Sequence, residues 1–146
     1  MHFMEKKQIR VIIADDHAML RETWKILLHQ NPAFSVIAEC TNGAEAIELA
    51  QSHNPDIILM DVNMSPVNGF EATQEITQTM PGIKIIGISI NNQPAYARNM
   101  IKAGASGYVT KNSSLQEIME AITEVANGEI YICREIKSKM KAEQDE

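Results

Sequence analysis

Five residues of this chain are of types that can together handle a phosphoryl group: the adjacent acids Asp15 and Asp16, a third acid at Asp61, a hydroxyl at Ser89 and an ammonium at Lys111. Each follows a short apolar run. Ile9 to Ala14 precedes the acidic pair, Ile57 to Met60 precedes Asp61, Ile83 to Ile88 precedes Ser89, and Gly107 to Thr110 precedes Lys111. Three carboxylates brought to one crevice repel one another, so they need raised pKa values or a cation. A hard divalent ion resolves the conflict, because Mg²⁺ accepts one or two carboxylates with waters and then a phosphate oxygen. With its charge shielded, Asp61 can attack phosphorus as a carboxylate nucleophile and form an acyl phosphate. Lys111 would offset charge on the equatorial oxygens, and Ser89 can donate a hydrogen bond to one of them.

Singly, each residue has a plainer role. Asp15 or Asp16 can cap a helix, Lys111 can be a solvated loop residue, Ser89 a satisfied strand-end hydroxyl and Tyr108 a core or half-buried aromatic. What points to chemistry is the joint arrangement at the ends of the first, third, fourth and fifth apolar runs.

The elements that must position these residues are legible in order. Ile57-Ile58-Leu59-Met60 is a continuous apolar run, the pattern of a parallel strand buried on both faces, and Pro66, Asn68 and Gly69 behind it supply turn chemistry. Ile9–Ala14 reads as a first strand and Phe34–Glu39 as a second. Between them Asp16 is expected to cap a helix carrying Leu20, Trp24, Leu27 and Leu28 at helical spacing. Asn42 and Glu45 resemble a capping box for a second helix that closes at Asn54-Pro55, and a third runs from Phe70 to about Met80 before Pro81-Gly82. Pro94 suits the first turn of a fourth helix ending at Ala103, with Gly104 as its left-handed cap. Ser114-Leu115-Gln116-Glu117 is a full capping box ahead of Ile118, Ile122 and Val125, and Gly128 ends that fifth helix.

Five strands alternating with five helices predict a doubly wound α/β fold with a five-stranded parallel sheet, and the flavodoxin-like order 2-1-3-4-5 is preferred among such orders for the position of its switch point. Its switch point lies between strands one and three, which places Asp15, Asp16 and Asp61 around one crevice. The expected organisation is an N-terminal extension over 1–8, one domain over 9–128, and a linker or tail over 129–146. In that last segment Glu129 to Cys133 is short and apolar, and Arg134 to Lys141 alternates charge like a solvated helix.

With 146 residues, 45% hydrophobic and 22% charged, the composition is that of one globular domain with a sizeable core. A formal net charge of −6 argues against a nucleic-acid surface of its own. Cys40 and Cys133, and the four histidines, have no metal-ligand spacing, so reduced thiols and surface or helix-end histidines are expected. The first residues meet charge before any long apolar run. Neither a signal peptide nor a membrane span is visible, and a cytoplasmic protein is expected.

On these residues, the stretch Ile9 to Gly128 resembles the receiver domain of two-component response regulators. The resemblance implies that Asp61 is the phosphoacceptor, and that Asp15 and Asp16 bind Mg²⁺ together with Asp61 and the backbone carbonyl of Asn63. It further implies that Ser89 is a switch hydroxyl, that Lys111 contacts the phosphoryl group, and that Tyr108 turns inward when Ser89 moves. The wording Ala14-Asp15-Asp16-His17 with Leu20-Arg21, Ala103 to Tyr108, and Gly128-Glu129-Ile130-Tyr131 is similar to the NarL-like group. Members of that group usually carry a C-terminal LuxR-type helix-turn-helix, for which this chain has no room. A sensor histidine kinase is the implied phosphodonor, a homodimer a possible output, and DNA a partner only through such an output domain. The domain is not expected to be an enzyme beyond assisting its own phosphorylation and dephosphorylation. Two positions depart from the family: Ser65 stands where proline is usual, shaping the loop beside Asp61, and the bulky Ile90 follows Ser89.

Three other readings stay open. An FMN binder would share the fold but needs a Gly/Ser/Thr phosphate loop where Asp15 and Asp16 stand. An aspartyl phosphatase wants a second acid two residues after its nucleophile, where this chain has Asn63. A stand-alone or phosphate-independent adaptor receiver is the third.

Overall fold

Residues 8–144 are described by the computed structural model of the chain, so residues 1–7 of the expected N-terminal extension lie outside the described residues. Strands and helices alternate throughout as β1 (Ile9–Ala14), α1 (Ala18–His29), β2 (Phe34–Cys40), α2 (Gly43–His53), β3 (Ile57–Asp61), α3 (Gly69–Thr79), β4 (Lys84–Ser89), α4 (Pro94–Lys102), β5 (Gly107–Thr110), α5 (Leu115–Ala126), β6 (Tyr131–Ile132) and α6 (Arg134–Gln144). The strands form one flavodoxin-like sheet in the order β2-β1-β3-β4-β5-β6, parallel at every junction. Helices cover both faces, which is why the interior strands are continuously apolar. Val11 to Ala14, Ile57 to Met60 and Ile85-Ile86 are all buried.

The expected five strands and five helices are each one short. β6 is two residues long and pairs Tyr131 with Gly107 and Ile132 with Tyr108. A two-residue strand is too short for alternation or an apolar run to reveal it. Its hand also argued against it. Asn31, just beyond α1, meets Met119 of α5 at 3.7 Å, so α1 and α5 share a face. The step from β5 to β6 nevertheless runs across the sheet opposite to the step from β1 to β2. The two crossovers therefore have opposite hands, and the right-handed rule gives no reason to place a strand there. The helical reading of Arg134 onward is correct, but α6 is not wholly solvated: Ile136 and the preceding Cys133 are fully buried. Most of its other residues are charged, which masks one buried turn.

The caps follow the reading with two exceptions. Asn42 Oδ1 accepts from the Glu45 N–H at 3.0 Å, and its amide donates to the Glu45 carboxylate at 2.7 Å. Ser114 Oγ accepts from the Glu117 N–H at 3.1 Å, but the Glu117 side chain turns into the protein instead of back to Ser114. The cap position of α1 is held by His17, without a side-chain cap bond, and not by Asp16 as expected. The Asp16 carboxylate is thereby left for the crevice at the sheet's end.

Candidate functional site

Asp61 ends β3, opposite Ile88 of β4, and is 1% exposed. The chain folds back tightly behind it, with the Gly69 N–H donating to the Val62 carbonyl at 3.1 Å. A Cβ on Gly69 would lie 2.4 Å from the Asp61 carbonyl oxygen, so only glycine permits this approach. One carboxylate oxygen of Asp61 accepts from the Asn63 N–H at 3.1 Å, and the other faces Lys111 Nζ at 3.3 Å. The same ammonium stands 3.1 Å from Asp15, whose carboxylate is also buried. One cation is thus shared by two buried acids. Burial raises the Asp61 pKa above the usual carboxylate value, and the charge of Asp15 adds to the rise, while the Asn63 N–H and Lys111 oppose it.

The acidic loop after β1 is held by its own hydrogen bonds. Asp15 accepts from the His17 N–H at 2.8 Å, and its carbonyl accepts from the Arg21 guanidinium at 2.7 Å. His17 is at a helix end as expected, but it also joins the crevice: its Nδ1 lies 3.0 Å from Asp15, 3.2 Å from Asp16 and 3.0 Å from Lys111 Nζ. A single Nδ1 cannot both donate to Asp15 and accept from Lys111, so the tautomer selects one partner. The position of His17 directly after two acids was the available signal.

Asp15, Asp16, His17 and Asp61 each present a ligand atom, all within 4.8 Å of one another. Three carboxylates among four donors make a hard, oxygen-rich set that fits Mg²⁺. Burial is the main cause of the raised Asp61 pKa, and the like charge of Asp15 that adds to it is what a divalent cation would relieve.

Ser89, at the end of β4, is fully buried. Its Oγ accepts from the Asn63 side-chain amide at 3.1 Å and from the Asn91 backbone N–H at 3.0 Å, with the Asn91 amide at 3.3 Å. Asn91 is the second residue that sequence reasoning missed. Its carbonyl accepts from the Tyr108 hydroxyl at 2.8 Å, so it joins the two expected switch residues. Tyr108 is already fully buried, and burial pushes its phenol up to about 12. The expected inward turn therefore has no outward starting point here. The reason is tertiary: β6 covers β5, making Tyr108 an interior-strand residue, and Gly87 leaves room beside its ring. Ile90 points outward, 71% exposed, beside His17, Met19 and Lys111. It flanks the crevice without filling it.

All the anticipated residues thus gather at one end of the sheet: Asp15, Asp16, Asp61 and Lys111 around one point, with Asn63 linking Asp61 to Ser89, and Tyr108 reached through Asn91. Among the described residues no helix is long and apolar enough to cross a membrane.

Residues 11–123 match the response regulator receiver domain family. The chain is 40% identical over 129 residues to the transcriptional regulatory protein DegU of Brevibacillus brevis, covering 88% of this chain and 55% of that protein. It is 33% identical over 125 residues to the oxygen regulatory protein NreC of Staphylococcus epidermidis, covering 85% and 57%. The chain therefore spans little more than half the length of these relatives. Among solved structures, a LuxR-family two-component response regulator from Aurantimonas sp. superposes with a TM-score of 0.91 at 32% identity, covering 96% of this chain and 100% of that one. A LuxR-family DNA-binding response regulator from Staphylococcus aureus gives 0.77 at 30%, covering 82% and 99%.

Proposed function

The chain belongs to the response regulator receiver domain family, and we propose on that premise that Asp61 is its phosphoacceptor, with a sensor histidine kinase as the donor. The observation that carries this reading is the Lys111 ammonium held between the buried carboxylates of Asp15 and Asp61. In the transfer an Asp61 carboxylate oxygen bonds to phosphorus as the phosphorus–nitrogen bond of the donor phosphohistidine breaks, and the imidazole nitrogen keeps the electron pair. Asp15, Asp16, Asp61 and the Asn63 carbonyl would hold Mg²⁺, which supplies charge neutralisation for the carboxylate and the incoming phosphoryl oxygens. Lys111 is positioned by its two acids to meet one phosphoryl oxygen. Ser89 donates to another once its oxygen is released by Asn63 and Asn91.

Phosphorylation adds nearly two negative charges beside these donors. It acts on the protein only through contacts that differ between the two states. With Tyr108 already inside, the movable contacts at this end are those of Ser89 with Asn63 and Asn91. The receiver spans 9–128 and 129–146 is a linker or tail, of which the described part, 129–144, packs along the receiver's edge. The output is altered dimerisation and, in the whole protein, regulation of transcription through a DNA-binding region, in the cytoplasm. The names of the relatives, a transcriptional regulatory protein and a DNA-binding response regulator, support that part.

Intact mass after incubation with acetyl phosphate and Mg²⁺ tests the reading. One phosphoryl adduct is expected in the parent chain and none in Asp61→Asn or with a chelator. An adduct surviving in Asp61→Asn would overturn the assignment. No adduct with acetyl phosphate or with any of a panel of kinases would favour a phosphate-independent adaptor.

A further inference from the structure

Two chains of contacts leave the candidate site and end on the same carboxylate. From Ser89, the Asn91 N–H and amide lead to the next residue, Asn92, whose amide donates to Glu135 Oε2 at 3.0 Å. From Asp61, Lys111 leads to the preceding residue, Thr110, whose hydroxyl donates to Glu135 Oε1 at 3.2 Å. Glu135 stands in the first turn of α6, and each of its two oxygens takes one of these donors. Thr110 is 1% exposed, so its hydroxyl has no solvent alternative. Below this point α6 lies along α4, buries Ile136, and pairs its Glu143 with Arg98.

Resting on the phosphoacceptor reading of Asp61, we propose that Glu135 is a strap that ties α6 to the unphosphorylated state of the site, and that phosphorylation loosens it. The physical reason lies in the loop at Asn91-Asn92. When Ser89 turns to the phosphoryl group, Asn91 loses its acceptor, and the backbone that presents the Asn92 amide to Glu135 loses its anchor. Lys111 is drawn to the phosphoryl oxygens at the same moment, and Thr110 is its chain neighbour. Both donors of Glu135 are therefore disturbed by one event at Asp61. An acid in the first turn of a helix also has an ordinary stabilising role through the helix dipole. The strap differs from that role by its linkage: whatever phosphorylation does to the Glu135 contacts, loss of those contacts must do in reverse to binding at Asp61.

The test uses the full chain with Mg²⁺ and beryllofluoride as the phosphoryl mimic, followed by fluorine NMR for occupancy and by amide hydrogen exchange of 134–144. In the parent chain, saturation is expected to speed exchange across α6. Glu135→Ala is expected to speed it without the mimic, and to lower the beryllofluoride concentration for half-saturation about 5-fold or more, the lower end of ordinary allosteric coupling. Asn92→Ala, which removes the other end of the strap, should shift affinity in the same direction. Arg98→Ala loosens α6 at its far end and touches neither chain of contacts, so it should speed exchange with affinity unchanged. Occupied Asp61 with unaltered α6 exchange would overturn the strap alone, as would equal affinities in the parent, Glu135→Ala and Asn92→Ala. An equal affinity gain in Arg98→Ala would also overturn it, since any loosening of α6 would then suffice. Absence of bound beryllofluoride in the parent chain would overturn the phosphoacceptor reading, and the strap with it.

Discussion

Asp61 and Glu117 are carboxylates shut away from solvent to nearly the same degree, 1% and 7% exposed, but their neighbours differ. Glu117 Oε2 accepts from the Tyr131 hydroxyl at 2.8 Å and the Arg134 N–H at 2.9 Å, with the Arg134 guanidinium at 3.7 Å. Its contacts join α5 to the β6–α6 segment, and burial, reinforced by the Glu117 carboxylate, pushes the Tyr131 phenol well above its ordinary value. Asp61 has one backbone N–H and half a claim on Lys111, and it faces a second buried acid. Burial alone therefore does not distinguish a structural acid from a reactive one; the balance of donors against like charge does. Glu117 is matched by the protein, whereas Asp61 is matched only when further positive charge or an electrophile arrives.

The contrast can be broken from either side. Lys111→Ala removes the cation shared by Asp15 and Asp61 and should slow phosphorylation from acetyl phosphate by about 10²–10³, the usual effect of deleting one charge-stabilising donor. Time-resolved intact mass measures this, and a rate near the parent's would show that Lys111 is not the phosphoryl-facing cation. Glu117→Ala attacks the matched acid. It strands the buried Tyr131 hydroxyl and the Arg134 N–H, and should cost about 1–3 kcal/mol in urea unfolding while the Asp61 adduct still forms. Loss of the adduct without loss of stability would reverse the roles given to the two acids.

The smallest effect is in pH. The folded-state pKa of Asp61 lies above the unfolded value of 3.8, so the unfolded chain releases this proton first as pH rises. Stability from this group is full below 3.8 and is lost as pH climbs through the raised folded value. Asp61→Asn should therefore unfold at higher urea than the parent at pH 7 without Mg²⁺, and the gap should shrink as pH falls towards 3.8. A gap that is constant with pH would mean that the Asp61 charge is already balanced. Mg²⁺ should narrow the gap at pH 7 by binding the parent chain more tightly than the variant.

Most of the architecture was legible because its signals are local. The apolar runs that become β1, β3 and β4, the Asn42 cap, Pro94 at the start of α4 and Gly104 at φ 114° after it all act within a few residues of themselves. The same holds for the candidate site, since Asp15, Asp61, Ser89 and Lys111 each mark where a strand runs out. What escaped were partnerships. His17 looks like any scattered histidine until the loop carries Nδ1 between two acids and a lysine. Asn91 gains meaning only because its two ends face Ser89 and Tyr108, and Glu117 reads as half of a capping box until β6 offers it better donors.

By itself, the sequence determined the alternation of strands and helices, the order of the five principal strands and the convergence of four strand ends on one crevice. Apolar periodicity and turn chemistry suffice for the alternation, and the order follows once the acidic strand ends are required to share one switch point. Only the tertiary structure decided that β6 and α6 close the edge beside β5, that Tyr108 begins inside, that one lysine serves two buried acids, and that Glu135 gathers both paths from the site. These depend on the distance between residues far apart in the chain, and short or mostly charged segments carry no periodic signal of where they will pack.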